Sequence, residues 1–428
     1  MLIEFTIGNF LSFKDKKTIS LEATSIKEYL ETNTIQKDKY SLLKGAVIYG
    51  ANAGGKSNFI RAMSTMRRLV LHSFNASSTD ELNVTPFLLN TDTCNKPSYF
   101  EILFLVGNVR YRYGFEIDNI SVKTEWLFIS QKTSEKPLFI REGDGIEIFP
   151  LFKEAKDLEE KTRDNSLFLP VVDQFNGSTA KSIMQWFVNF ITISGLSHER
   201  YRNVTFKMLE NDDTKVHLLE FYKKLDLGFE SIDLEKEPLD TKEYPKIFSE
   251  EILKQLLPDI EGKSKVNIKT LHNRYNERNE IASVEKFDMR RQESSGTNKV
   301  FNMSGPVFEV LKDGGVLVVD ELDASLHPLM TLTISKLFNS SEYNKKNAQL
   351  IFATHDTNLF EYGHYRRDQI YFIEKDVYGA SDLYSLVEYK EEDGKKVRND
   401  RSFEKDYIQG RYGAIPFIGN MNKIMANG

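Results

Sequence analysis

Two short patterns carry the residues best suited to chemistry. Gly50-Ala51-Asn52-Ala53-Gly54-Gly55-Lys56-Ser57 matches the pattern GxxxxGK[ST]. Glycines there let backbone N–H groups turn inward around a phosphate chain. Lys56 places a positive charge on the outer phosphates, and Ser57 offers a hydroxyl to Mg²⁺. A helix starting at this point aims the positive end of its dipole at the anion. The second pattern is the apolar run Val316–Val319, which ends in Asp320 and Glu321. A phosphate-transfer site needs an acid near Mg²⁺, which suits Asp320. A second acid beside it, Glu321, is placed to orient or deprotonate an attacking water. Alone, the first pattern also fits a glycine-rich turn and the second a plain strand-to-loop junction. Together they describe one site.

These residues need particular elements to hold them. Val47, Ile48 and Tyr49 form a short apolar run that reads as a buried parallel strand leading into Gly50. Ile60, Met63, Met66, Leu69 and Val70 recur at helical spacing, so a helix is expected from Ser57 to about Ser73. Alternation on both sides of Gly107-Asn108 predicts an antiparallel hairpin over Phe100–Ile117, with its aromatic residues in the core. Val316–Val319, Leu350–Ala353 and Gln369–Glu374 read as further strands. Helical spacing dominates Ser182–Phe190, Val216–Leu225 and Ile247–Leu257, while Lys263–Arg278 reads as an exposed face or loop. The tail beyond Tyr389 shows no periodicity, and Gly410–Gly413 reads as a turn. The chain thus divides at about 1–150, 151–285 and 286–428. Its fold class is α/β, with a central mostly parallel sheet, an antiparallel β subdomain and a mainly helical insertion.

Composition narrows the classes. The chain has 428 residues, 40% hydrophobic and 28% charged, enough for a large packed core and unlike a disordered or collagen-like chain. No apolar run reaches the ~18 residues of a membrane span. The start, Met1–Phe13, alternates like a strand and lacks the layout of a signal peptide. The single cysteine, Cys94, excludes an internal disulfide, so a cytoplasmic setting is expected. The histidines show no zinc-ligand spacing. The net charge of −6 argues against a chain coated in basic residues for nucleic acid, although a local basic patch stays open. Arg366-Arg367 and Lys263–Arg278 are candidates for such a patch, with a solvated face or protein contact as the plainer reading.

The long separation of Lys56 from Asp320 points to the ABC-type branch of P-loop proteins. Five further segments then suggest a family. Glu293-Ser294-Ser295-Gly296-Thr297 resembles the ABC signature. Leu322–Pro328 stands where a D-loop follows the acidic strand. Thr354-His355 follows Leu350–Ala353 as the switch histidine does. Ile7–Phe13 is similar to the first strand of SMC/RecF-type ATPases, and Tyr407–Pro416 to the tail of OLD-related proteins. The chain therefore resembles OLD/RecF-like ABC-type ATPases of bacterial antiphage and abortive-infection systems, of the RloA type and the PARIS ATPase (AriA) type.

That resemblance implies an ATPase core in two lobes, 1–150 and 286–428, around the insertion 151–285. It implies that ATP is bound by Gly50, Asn52, Gly54, Gly55, Lys56, Ser57 and Asn58, with Mg²⁺ held by Ser57 and Asp320. Glu321 would be the catalytic acid and His355 the γ-phosphate sensor. Ser295 and Gly296 would complete the site of a second copy, giving an ATP-sandwich dimer or a ring of dimers. The short stretch after His355 leads to the expectation that a separate Toprim-like nuclease effector does the damage. The signature reads Ser-Ser-Gly-Thr in place of LSGGQ, as in the OLD branch. His327 stands near the usual D-loop aspartate, and Gln131 is the candidate Q-loop residue. Pro306 is expected to kink or restart the helix after Gly296, since an interior proline costs about 3 kcal/mol. A RecF-like DNA repair ATPase is the alternative reading. A transporter's nucleotide-binding subunit fits least well.

Overall fold

The computed structural model describes residues 1–130, 134–238, 264–362, 364–390, 397–398 and 401–416. The chain forms two compact units. One comprises Met1–His198 and Pro306–Gly428; the other is Glu199–Gly305. The helix read at Ile247–Leu257 and the Q-loop candidate Gln131 lie outside the described residues.

Among the described residues, the larger unit contains a six-stranded sheet in the order Phe190–Ser194, Val316–Asp320, Gln349–Ala353, Gly45–Gly50, Ile370–Lys375, Ser381–Ser385. The first five strands run parallel and the last is antiparallel. Gly45–Gly50 and Gln349–Ala353 are buried throughout, which is why they read as unbroken apolar runs. Val47 pairs with Phe352 on one side and Ile370 on the other, and Val319 pairs with Phe352. This register brings the ends of the phosphate-loop strand, the acidic strand and the strand before Thr354-His355 to one edge of the sheet. Ligands of open α/β sheets bind at that edge.

A seven-stranded antiparallel sheet forms the second layer, with the expected hairpin at its centre as Ser98–Val106 and Val109–Ile117. The helix Lys56–His72 packs in one core with residues of both sheets. Its buried face is Phe59, Ile60, Met63, Met66, Leu69 and Val70. Phe59 meets Phe5 and Phe13 edge to face, each at 5.7 Å. Buried charge ties on the segment that follows. Glu125 accepts from Tyr113 Oη at 2.8 Å and from the backbone N–H of Phe168 and Leu169 at 2.6 and 3.2 Å. Arg141 donates to the carbonyl of Ser166 at 2.7 Å. Burial pushes the Glu125 carboxyl up, while Arg141 and the donated hydrogen bonds oppose that rise. Glu154 collects the first N–H groups of the helix Ser178–Val188, at Ser178, Thr179 and Ala180.

Several expectations change. The pattern suggests helix through Phe190, but the chain leaves the helix at Val188, and Phe190–Ser194 becomes the edge strand beside Val316–Asp320. Lys263–Arg278 is mainly the strand Ser264–Tyr275, central in a three-stranded antiparallel sheet. Ile268 and Thr270 are buried at two-residue spacing, and the intervening charged residues mask that alternation in the sequence. The helix Ser295–Asp313 runs through Pro306 without a break. Proline removes the bond to the Asn302 carbonyl, and the Thr205 hydroxyl lies 3.3 Å from that oxygen and 2.9 Å from the Phe301 carbonyl. Arg366 is neither surface nor phosphate contact. It is fully buried, pairs with Asp368 at 2.8 Å and donates to the carbonyls of Thr24, Ile26 and Glu28. The tail carries a short helix, Phe403–Ile408, whose Tyr407 packs on Tyr49 and Phe372. No helix among the described residues is long and apolar enough to cross a membrane.

The two anchoring glutamates should differ in weight. Glu125→Ala leaves Arg141 uncompensated and two N–H groups buried, so urea unfolding should show a loss of about 3 kcal/mol. Glu154→Ala removes a half-exposed helix cap and should cost about 1 kcal/mol.

Candidate active site

The phosphate loop is shaped by backbone pressed against backbone. A Cβ on Gly50 would lie 2.2 Å from the carbonyl oxygen of Ile373, in the neighbouring strand. Gly55 has φ +123°, a conformation that favours glycine, and its Cβ would meet the Ser381 hydroxyl at 2.3 Å. Below the loop runs a chain of hydrogen bonds. Asn58 Nδ2 donates to Ser12 Oγ at 2.9 Å, Ser12 and Ser381 hydroxyls lie 2.8 Å apart, and Ser381 Oγ donates to the Gly54 carbonyl at 2.7 Å. With one proton per hydroxyl, Ser12 donates to Ser381 and Ser381 to Gly54. The Asn9–Phe13 turn therefore serves to seat Ser12 under the loop. Asn9 holds that turn by donating to the carbonyls of Thr93, Lys96 and Pro97.

Lys56 is buried, and its Nζ donates back to the carbonyls of Gly50 at 2.7 Å and Ala51 at 3.2 Å. Burial lowers its pKa to about 8, against the raising fields of Asp320, Glu321 and Asp323. Ser57 opens the helix beside it. Across from the loop, Glu321 takes φ +52°, unusual for a residue with a Cβ. Gly195 fits this bend. Its N–H donates to the Asp320 carbonyl at 2.7 Å, and a Cβ there would lie 2.2 Å from the Glu321 carbonyl oxygen. The strand before His355 lies between the loop strand and the acidic strand, so His355 emerges between both. Its N–H donates to Asp323 Oδ2 at 3.2 Å. Burial and the charge of Lys56 hold the imidazole below its ordinary pKa, so it is neutral at pH 7.

Ala51–Asn58, Glu321, His355 and Lys375 line one cavity of about 520 Å³. The structure thus gathers Asn52, Gly54, Gly55, Lys56, Ser57, Asn58, Glu321 and His355, with Gly50 at the loop's base. Asp320 Oδ1 and Asp323 Oδ1 are buried without a hydrogen-bond partner. An orphaned carboxylate oxygen is a costly feature that a cation relieves. Asp320 and Ser57 fit Mg²⁺, which takes one or two protein oxygens and fills its shell with water and phosphate. Among the described residues no three His, Cys, Asp or Glu side chains cluster as a metal cage. Ser295 and Gly296 belong to the other unit. There the Ser294 hydroxyl caps the helix Ser295–Asp313 by accepting from Thr297 N–H at 3.0 Å, and Ser295 is exposed. His327 caps the helix Pro328–Asn339, its Nδ1 accepting from Leu329 N–H at 3.3 Å.

Gly195, Lys375 and Ser381 escape a reading of motifs, and Ser12 is read only as part of the segment Ile7–Phe13. Lys375 had one available signal, its place just after the run Gln369–Glu374 that reads as a strand. Gly195 and Ser381 have none, because their contacts cross long separations in the chain.

Gly195 separates binding from chemistry. Gly195→Ala forces the Glu321 backbone to move while leaving the phosphate loop intact. Nucleotide affinity should stay within about twofold while turnover falls about 100-fold. Equal turnover would show that Gly195 does not position the acids.

Residues 46–361 match the family model described as "AAA domain, putative AbiEii toxin, Type IV TA system". No curated protein matches the chain. Among solved structures, the SMC head domain from Thermotoga maritima is similar at 14% identity and a TM-score of 0.39, covering 90% of this chain and 98% of that one. With its phosphate loop, acidic strand end and a match over most of its length, the chain belongs to the AAA-domain family of putative AbiEii toxins and is a P-loop ATPase of the AAA type.

Proposed function

We propose that this protein is an ATP-binding and hydrolysing switch of a bacterial antiphage system, controlling a separate Toprim-like nuclease through an ATP-sandwich dimer. The observation that carries the ATPase part is the meeting of Lys56, Ser57, Glu321 and His355 in one cavity beside the orphaned buried oxygen of Asp320. The defence part is supported by the family description, which names toxin–antitoxin proteins, and by the OLD-like segments around Asp320–Pro328 and Tyr407–Pro416.

The residues divide the work. Lys56 exchanges the Gly50 and Ala51 carbonyls for the outer phosphates of ATP, while the helix Lys56–His72 adds its dipole. Ser57 and Asp320 would hold Mg²⁺, which would supply positive charge beside the phosphates. Glu321 orients water against that phosphate, and neutral His355 donates a hydrogen bond to it. A γ-phosphate bound to these groups alone is incompletely surrounded. Ser295 and Gly296 of a second copy supply the remaining donors, so hydrolysis depends on pairing.

The test is turnover. Lys56→Ala should weaken ATP binding about 100-fold or more, the loss of a buried charge-assisted contact. Glu321→Gln should keep ATP, accumulate as a dimer on size exclusion and lose at least about 100-fold in hydrolysis. Both should abolish plaque protection by the full system. Normal hydrolysis by Glu321→Gln would sink the reading, as would a fast ATPase that stays monomeric with ATP. The nuclease should co-purify with this chain in only one of the ATP and ADP states.

A further inference from the structure

The unit Glu199–Gly305 contains another cavity, of about 1020 Å³, lined in part by Val266–Lys269 of the segment Lys263–Arg278 and away from the phosphate loop in sequence. It lies between the helix Arg202–Glu210, the strand Ser264–Tyr275 and the turn after Asp288. Its charge is unbalanced. Arg202, Lys207, Lys269, Arg290 and Arg291 line it, against two carboxylates. Both carboxylates are engaged. Glu210 pairs with Lys236 at 2.7 Å. Asp288 lies 3.5 Å from Lys269 and accepts the backbone N–H groups of Arg290 and Arg291 at 3.1 Å. Among the described residues, Arg202, Lys207, Arg290 and Arg291 have no carboxylate within ion-pair distance.

A cluster in which cations outnumber carboxylates this far is unusual in a chain of net charge −6. Arg202 is also partly desolvated, and burial together with neighbouring Arg290 lowers its pKa to about 10 against the raising fields of Asp288 and Glu199. Its guanidinium lies over the Phe301 ring at 5.5 Å, which limits its freedom to swing toward solvent. The walls between the cations are apolar or amide, at Phe206, Val266 and Asn267. A concave surface with several forked donors in excess of its carboxylates suits a ligand bearing several phosphates.

We infer that this cavity is a binding site for a polyphosphate anion, gripped by Arg202, Lys207, Arg290 and Arg291 and distinct from the phosphate loop. The anion is a free polyphosphate or the phosphate chain of a nucleic-acid strand. Arg290 and Arg291 stand in the turn that leads into Ser294–Gly296. Asn298 Nδ2 braces that turn, donating to the Met289 carbonyl at 2.7 Å and to the Ser294 carbonyl at 3.1 Å. An occupied cavity therefore holds the residues just before the signature-like segment.

The experiment uses the full chain carrying Lys56→Ala, which disables the phosphate loop, and so stands apart from the ATPase reading. Calorimetry with sodium tripolyphosphate should still show a binding site. Adding Arg202→Gln and Arg290→Gln should weaken it at least about tenfold. Arg290→Gln alone, at an exposed position, should weaken it measurably with an unchanged melting temperature. Lys286→Gln, in the same unit but paired with Asp233 and Glu235, should leave it unaltered. A fluorescein-labelled single-stranded oligonucleotide, followed by anisotropy, separates the sources. Binding that tripolyphosphate displaces identifies a nucleic-acid strand, and tripolyphosphate binding alone identifies a free polyphosphate. No tripolyphosphate binding by the Lys56→Ala protein, or equal binding by the arginine variants, would overturn the inference.

Discussion

Backbone packed directly on backbone, at the edge where three parallel strands end, is the constraint on which the site depends. Gly50 lies flush with the carbonyl of Ile373, and Gly195 with the carbonyls of Asp320 and Glu321. No other residue type fits either place without moving the main chain. These contacts set how closely the phosphate loop and the acidic strand end approach the rest of the sheet. The strand Gln349–Ala353 lies between them and delivers His355 to the gap.

Electrostatics then tunes what this geometry holds. Lys56 loses charge stability through burial, and the acids opposite restore part of it. Asp320 and Asp323 each keep one buried oxygen without a partner. A buried ammonium group beside orphaned carboxylate oxygens suits an anion and a cation together, which is the composition of a magnesium–nucleotide complex. His355 stays neutral in the same field, so it can respond to a phosphate by hydrogen bonding without adding a fixed charge.

Support for the site comes from distant parts of the chain. Ser12, near the start, bonds the hydroxyl of Ser381, in the last strand of the sheet, and Ser381 donates to the Gly54 carbonyl beneath the loop. Tyr407 from the tail packs against Tyr49 of the loop strand, and Ala414 N–H donates to Glu374 at 2.9 Å. One aromatic cluster thus joins the tail to the loop strand. The Glu125–Arg141 pair plays the corresponding part for the segment Ser166–Leu169, joining it to the antiparallel sheet.

The phosphate loop, the acidic strand end, the helix Lys56–His72 and the central hairpin were all legible from the amino acids alone. Each is a local pattern, a fixed spacing or a period of two or 3.6, and local physics suffices to read it. The edge strand Phe190–Ser194 and the strand Ser264–Tyr275 were not, because the first is short and the second hides its alternation among charges. The continuous helix through Pro306 is met one turn earlier by Thr205, which stands about one hundred residues before it in the chain and donates its hydroxyl to the Phe301 carbonyl. Gly195, Ser12, Ser381 and the basic cavity likewise acquire meaning only when distant segments meet. Residue types and short spacings determine which chemistry this chain can perform; long-range packing alone decides which backbone atoms stand close enough to position it.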